Sequence, residues 1–369
     1  MQANPISLQR QIFWVVVILV LFGQIILFSA SGILGIQRHQ SEFYFITRQA
    51  TAGLAGFVAL FVMARLKLSF LRTMAFPILI LQICLVALTH LPSFGHAAGG
   101  ATRWLRIHGF VFQPSETAKI ALSIYLARIL STNQSNPLSK RAWVFWMVPV
   151  TVLLALIFKQ PDMGTTVLLV AMALAMFFVA GIRLTYVLGT IGIGSAGFIV
   201  AMLHSDYRRR RFSAFLNPWA DPQGTGFQTI QSLISFHSGR LFGTGIGNGN
   251  SKLFFLPEVH TDFIFALIAE ELGFMGAAIL LLTFAYLTYT LFKTSARGPC
   301  SFSSLLAFGL ALSLSLQICV NLGGVTGLLP VKGLPLPFIS WGRSALIANL
   351  AMIGILLNIA RSSGHNQTS

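Results

Sequence analysis

Long uncharged stretches and short polar breaks alternate along this chain. Predominantly apolar runs fall at residues 12–36, 43–64, 74–91, 114–130, 142–158, 163–182 and 184–203, and resume after a long polar interval at 263–292, 303–329 and 336–360. A bilayer-crossing helix needs about 20 apolar residues, so these ten runs are read as ten spanning helices. The fourth is the weakest, because its first turns carry Ser115, Glu116 and Lys119 and its apolar part starts only at Ile120. The expected architecture is an all-α polytopic integral membrane protein, one membrane domain over residues 1–369. A single long outer loop, 204–261, separates the seventh and eighth helices. The first run follows one basic residue, Arg10, and is too long for a cleaved signal, so it is read as a retained helix.

The long loop is not composed like a linker. Phe212, Phe215, Trp219, Phe227 and Phe236 give it apolar anchors. Across Gly226–His237 the residues Phe227, Ile230, Leu233 and Ile234 share one helical face, the pattern of a short helix lying on a membrane surface.

Composition and charge sharpen this reading. Charged residues are 9% of the chain and apolar ones 55%, where soluble domains carry about a quarter charged residues. A net charge of +16 would suggest nucleic acid in a soluble protein. No soluble region here could host such a domain, so no nucleic-acid partner is expected, and anionic lipids or lipid-linked phosphates take its place. Cys84, Cys300 and Cys319 are isolated thiols, which argues against a disulfide framework and a zinc site. With the N-terminus inside, the inner face receives Arg10, Arg65, Lys67, Arg72, Arg128, Lys140, Arg141, Arg183, Lys293, Arg297 and Arg361 and no acid. All nine acids then fall on the outer side or in the outer part of a helix. Basic loops stay in the cytoplasm, so both termini are placed there.

Four polar segments stand out against the apolar background. Arg103–Trp104 precedes Gln113-Pro-Ser-Glu116, a helix entry, and Glu116 and Lys119 stand three residues apart, close enough to pair. They read either as a neutralised interfacial pair or as a functional site, since ionisable residues at membrane depth mark function. Lys159-Gln-Pro-Asp162 is a tight turn whose acid is either turn chemistry or part of a site. Glu258-Val-His260-Thr-Asp262 leads into the eighth helix, with Thr261 as its expected cap and Asp262 in its first turn. A helix N-terminus stabilises a carboxylate, so Asp262 is either a capping acid or a general base at the outer surface. Glu270 and Glu271 lie deeper, one expected to pair with a basic residue of another span. Finally, Asn321 to Ser344 carries prolines 330, 335 and 337 and several glycines between the last two helices. Broken backbone at membrane depth is tolerated where protein or a wet cavity satisfies it, so a re-entrant segment is expected, with Lys332 as a fixed positive charge.

Taken together these segments resemble the SEDS family of bacterial shape, elongation, division and sporulation proteins. The matching strings are GATRW (100–104), QPSETAK (113–119), QPDMGT (160–165), FLNPWADPQGTGFQTIQSL (215–233), FLPEVHTDFIFALIAEELG (255–273) and GLLPVKGLPLPFIS (327–340), in family order. The resemblance implies a ten-helix peptidoglycan glycosyltransferase of the bacterial inner membrane. It would polymerise lipid II on the outer face, beside a class B penicillin-binding protein that cross-links the strands. It implies Asp262 as the catalytic acid of the site, acting as general base on the acceptor hydroxyl. It implies Arg103, Trp104, Glu116, Lys119, Asp162, Arg208, Arg210, Glu258, His260, Lys332 and Ser340 as the surrounding substrate-binding set. A divalent cation, magnesium or manganese, is also implied, although no compact carboxylate cluster in the sequence demands one.

Lys332 inside the GLLPVKGLPLP string leans toward the division-type branch, FtsW, over the elongation-type branch, RodA. The sequence departs from the family's Ser-Tyr-Gly-Gly-Ser-Ser in having Ser340-Trp-Gly-Arg343-Ser-Ala345, which adds bulk and charge at the mouth of the last helix. A lipid II flippase, also polytopic with broken helices, and a non-catalytic scaffold for the cross-linking enzyme are the competing classes.

Overall fold

In a computed structural model of the chain, residues 5–98, 101–107, 110–135, 140–185, 188–189, 192, 197, 206–252, 259–298, 301–331 and 333–365 are described. Helices α1 (Pro5–His39), α2 (Tyr44–Arg65), the short α3 (Leu68–Thr73) and α4 (Ala75–Leu88) open the chain. Next come α5 (Pro114–Ser135), α6 (Lys140–Lys159) and α7 (Met163–Val179). The outer loop contributes α8 (Asp206–Leu216) and α9 (Phe227–Gly239), and α10 (Ile264–Ala296), α11 (Ser301–Val325) and α12 (Arg343–His365) complete the bundle.

Six of these, α1, α2, α6, α10, α11 and α12, include a stretch long and apolar enough to cross a membrane, and α4 and α7 are shorter apolar helices. Their outward faces carry large apolar side chains that water would not favour. On α1, Trp14, Ile18, Leu21 and Ile25 recur at helical spacing and each is more than half exposed, while Ile12, Val16 and Leu19 of the opposite face are buried. That pattern belongs in hydrocarbon, and the chain is a membrane protein.

The weak fourth run has a structural reason. Helix α5 packs against α4, α7 and α11 and is buried along most of its length, with Ser115, Glu116, Lys119 and Ser123 all inside. A helix shielded by protein on every side meets side chains rather than lipid, so its polar groups can be satisfied by partners. The seventh run, 184–203, lies for the most part outside the described residues.

The all-α class stands, with one addition and two changes to helix bounds. β1 (Gly95–Ala98), β2 (Ala101–Ile107) and β3 (Phe110–Phe112) form a small antiparallel sheet in the order β1-β2-β3. Within β2, Leu105 is buried while its neighbour Arg106 is exposed, as side chains on opposite faces of a pleat can be. The last helix begins at Arg343 instead of residue 336, because Pro335 and Pro337 deny the preceding segment a helical ladder. The eighth helix is interrupted at Gly273, whose φ of 68° and ψ of −170° lie outside helical space.

The loop helix α9 forms where expected but turns a different face inward. Thr229, Ile230, Ser232, Ser235 and Gly239 are buried, whereas Leu233 and Ile234 are exposed. Small residues let α9 lie close against α10: any side chain at Gly239 would collide with the backbone oxygen of Ala269. Leu233 and Ile234 are thereby left for lipid.

Candidate active site

Asp262 occupies a turn just before α10, with Phe263 rather than Thr261 in the cap position. It is partly exposed and its backbone is held from two directions. The Asn321 Nδ2 of α11 donates to the Asp262 carbonyl at 2.9 Å and to the Leu334 carbonyl at 2.8 Å. One buried amide thus ties the turn to the proline-rich segment 326–342. The Trp341 N–H donates to the His260 carbonyl at 2.9 Å, a second tie between the same two segments. Gly333 lies directly against the acid: a Cβ there would stand 3.1 Å from Oδ2 of Asp262.

Residues that hold the proline-rich segment come from every side of the bundle. From α2, Gln49 donates through Nε2 to the Ser340 carbonyl at 3.0 Å and accepts the Gly342 N–H at 3.3 Å. Ser340 Oγ accepts the Leu336 N–H at 2.9 Å, closing the turn between them. From α5, Lys119 Nζ pairs with Glu116 Oε2 at 2.7 Å and donates to Gln317 Oε1 at 2.6 Å, while Gln317 Nε2 donates to the Pro335 carbonyl at 2.8 Å. Glu116 and Lys119 are 2% and 1% exposed, so the pair lies inside the bundle and reaches the segment through Gln317.

A second polar chain runs along the other flank. Ser344 Oγ accepts the Gln113 N–H at 3.1 Å, Gln113 Nε2 donates to Ser115 Oγ at 3.0 Å, and Ser115 Oγ donates to Asp162 Oδ2 at 3.3 Å. Asp162 is the N-cap of α7, accepting from Thr165 N at 3.3 Å and Thr165 Oγ1 at 2.9 Å, and it is buried. Arg103, half-buried on β2, donates through Nη2 to the Pro161 carbonyl at 2.7 Å, and half-buried Trp104 faces His96 across the β1–β2 ladder. His260 is buried against Phe45, ring centroids 5.2 Å apart, with Trp341 5.1 Å from the same ring.

Glu270 and Glu271 turn back to the outer loop. Glu271 pairs with Lys252 at 3.0 Å and accepts from Ser29 Oγ of α1 at 2.7 Å, so its cation comes from the loop and not from another span. Glu270 accepts the Asn250 N–H at 2.8 Å, the Ser251 N–H at 3.2 Å and the Ser251 hydroxyl. The backbone groups released by the break at Gly273 are taken up by the same loop. Thr244 and Gly245 N–H donate to the Glu270 and Glu271 carbonyls, and Phe274 and Met275 N–H donate to the Arg240 and Leu241 carbonyls, all within 3.1 Å.

Of the residues expected around the substrate, Glu116, Lys119, Asp162, His260 and Ser340 are therefore buried and engaged in holding the frame. Arg103 and Trp104 are half-buried at its edge. Glu258 and Lys332 lie outside the described residues, as do the side chains of Arg208 and Arg210 on α8. The sequence reading missed Gln49 and Gln317, two buried amides in otherwise apolar helices, and Lys252. A glutamine without charge barely dents a hydropathy profile, which is why burial and not sequence reveals it. The donors for the implied divalent cation do not assemble: among the described residues no three of His, Cys, Asp and Glu come together.

A bundle of apolar helices, opened at one end by non-helical backbone that is pinned around a partly exposed carboxylate, defines a membrane-embedded protein with a polar site at the end of its span. Its particular lineage follows from comparison with known proteins. The chain belongs to the FtsW, RodA and SpoVE family, described as "Cell cycle protein", whose sequence model matches residues 9–365. It is 41% identical over 345 residues to a probable peptidoglycan glycosyltransferase FtsW of Geobacter metallireducens, covering 93% of this chain and 92% of that one. It is 37% identical to stage V sporulation protein E of Bacillus subtilis, over 95% and 96% of the two chains. Among solved structures it is similar to a chain of a peptidoglycan synthase complex that coordinates polymerization and crosslinking. That match has a TM-score of 0.77 at 30% identity, over 98% of this chain and 99% of that one. It is also similar to the rod shape determining protein RodA of Thermus thermophilus, with a TM-score of 0.69 at 28% identity over 95% and 96% of the chains.

Proposed function

We propose that this protein is a peptidoglycan glycosyltransferase that joins lipid II disaccharide units into glycan strands, with Asp262 as general base. The observation that carries the reading is the way Asp262 is held. Its backbone is pinned by Asn321 while Gly333, the residue against its carboxylate, contributes no side chain. An acceptor hydroxyl can therefore approach a carboxylate whose position is fixed. Asp262 takes the proton from the acceptor sugar's 4-hydroxyl as that oxygen bonds to the donor's anomeric carbon. The bond from that carbon to the lipid pyrophosphate breaks, and the pyrophosphate leaves with the bonding pair. Stabilising that developing negative charge is the larger demand, and Lys332, Arg103, Arg208 and Arg210 are the cations assigned to it.

The named relatives support the polymerase reading, and the synthase-complex neighbour supports a cross-linking partner of the class B penicillin-binding type. The sidedness of the charges supports an outer-face site in the bacterial inner membrane with both termini in the cytoplasm. The test uses purified protein in detergent with lipid II, with and without the partner transpeptidase, and no membrane to cross. Glycan strands should form with the wild type and be lost with Asp262→Asn that elutes as a folded species. Strands at wild-type yield from that variant would overturn the general-base assignment. Absence of strands from the wild type under both conditions would favour a flippase or scaffold.

A further inference from the structure

At the end of the bundle opposite Asp262, α1, α2 and α12 border an open cavity of about 290 Å3. Helix α12 begins beside the Trp341–His260 tie, and its residues Leu357 and Arg361, which line the cavity, lie about 21–27 Å further along its axis. Three arginines from three helices line this one space: Arg10 of α1, Arg65 at the end of α2 and Arg361 of α12. Among the described residues no carboxylate lines it. Gln9 is engaged with the Leu357 carbonyl at 2.8 Å, which joins α1 to α12 at the cavity wall.

The rest of the lining is apolar. Leu60 and Leu357 are buried beneath it, and the rings of Phe13 and Phe61 stand 6.1 Å apart, Phe61 being 46% exposed. One turn along α1 from Arg10, Trp14 is 59% exposed, so the apolar side of the cavity continues on to the lipid-facing surface.

Basic residues on one membrane face orient a protein wherever they stand. Lys67 and Arg72, at the same end of α2 and α3, do this without lining the cavity. Three arginines lining one space, with apolar side chains beside them, are a different matter, because an anion seated there would meet all three positive charges at once. Guanidinium groups match phosphate oxygens bidentately, and basic pockets between spanning helices suit anionic headgroups. We propose that this cavity binds an anionic phospholipid of the leaflet opposite Asp262. The headgroup phosphate lies among Arg10, Arg65 and Arg361, and an acyl chain runs past Phe13 and Phe61. The apolar flank open to the bilayer argues for a lipid over a soluble phosphate. Bound there, the lipid ties α1, α2 and α12 together.

The test measures lipid retained by the delipidated full-length protein, using native mass spectrometry with phosphatidylglycerol and phosphatidylcholine as probes. The wild type should prefer phosphatidylglycerol by about tenfold or more, each arginine contributing to the attraction. The triple variant Arg10→Gln, Arg65→Gln, Arg361→Gln should lose that preference. A charge-matched control, Lys67→Gln, Arg72→Gln, Lys293→Gln, should keep it. Arg361→Gln alone, at an exposed position where folding is not at stake, should weaken it by about fivefold. Retention of the full preference by both the triple and the Arg361 variant would overturn the proposal, as would an equal loss in the control. Displacement of phosphatidylglycerol by millimolar inorganic phosphate, with phosphate taking its place, would assign the site to a soluble anion and overturn the lipid reading.

Discussion

Replacing Lys119 by Met tests whether the buried pair in α5 holds the frame around Asp262. The methionine fits the space of the lysine stem but removes the ammonium from between Glu116 Oε2 at 2.7 Å and Gln317 Oε1 at 2.6 Å. Both charged residues are nearly inaccessible to solvent, so the orphaned carboxylate has no water to replace its partner. Breaking a buried pair in this way costs about 3–5 kcal/mol, and the amide oxygen of Gln317 loses its donor at a further cost of about 1–3 kcal/mol. The double variant Glu116→Leu, Lys119→Met removes the stranded charge and leaves only the loss at Gln317. At least about 2 kcal/mol of the damage should therefore return. The folded fraction surviving stepwise heating, followed by gel filtration in detergent, should rank wild type above the double variant and the double variant above Lys119→Met. Strand synthesis should fall in Lys119→Met, because Gln317 also grips the Pro335 carbonyl beside the site. If the single and double variants melted together, the stranded charge would not be the source of the loss, and the reasoning would fail.

Two further substitutions probe the acid's surroundings. Gly333→Leu would press a side chain against Asp262, whose Oδ2 lies 3.1 Å from the position of its Cβ; lipid II polymerisation should drop sharply while thermal stability stays within about 0.5 kcal/mol of wild type, and full activity would refute the close approach. Gly273→Ala forces an alanine into a conformation that is nearly glycine-only, at about 1–3 kcal/mol, and sets its Cβ 2.6 Å from the Leu241 carbonyl oxygen. Trypsin should then cut faster at Arg240 and Lys252, and unchanged cleavage would show that the break does not hold the loop.

The spanning helices were legible because lipid demands apolar runs, and each described run coincides with a helix. The exceptions have specific causes. The strands within 95–112 went unread because strands of three to seven residues are too short for a hydropathy signal and Thr102-Arg103-Trp104-Leu105 does not alternate. The start of α12 slipped from 336 to 343 because residues 336–342 are apolar enough to pass as helix although Pro335, Pro337 and the Leu336–Ser340 turn forbid it. The pairing of Glu116 with Lys119 followed from their spacing. The partner of Glu271 did not, since nothing in a sequence brings Lys252 and Ser29 to one carboxylate. Gln49 and Gln317 were invisible for the same reason: their role exists only once α2, α11 and the proline-rich segment meet.

The acids of the bundle are held in different ways. Glu116 is matched by Lys119, Glu271 by Lys252, Glu270 by the backbone and hydroxyl of residues 250–251, and Asp162 by the first turn of α7. Each of these buried acids spends its charge on a contact that fixes the frame, as a buried carboxylate must. Asp262 is fixed by another means, through its carbonyl and its neighbours' backbone. That hold on the main chain does not depend on whether the carboxylate is charged or neutral. A general base has to gain and release a proton in every turnover. On the general-base reading, a main chain tied by Asn321 and by the Trp341–His260 bond keeps the acid in place through both the charged and the neutral half of the cycle.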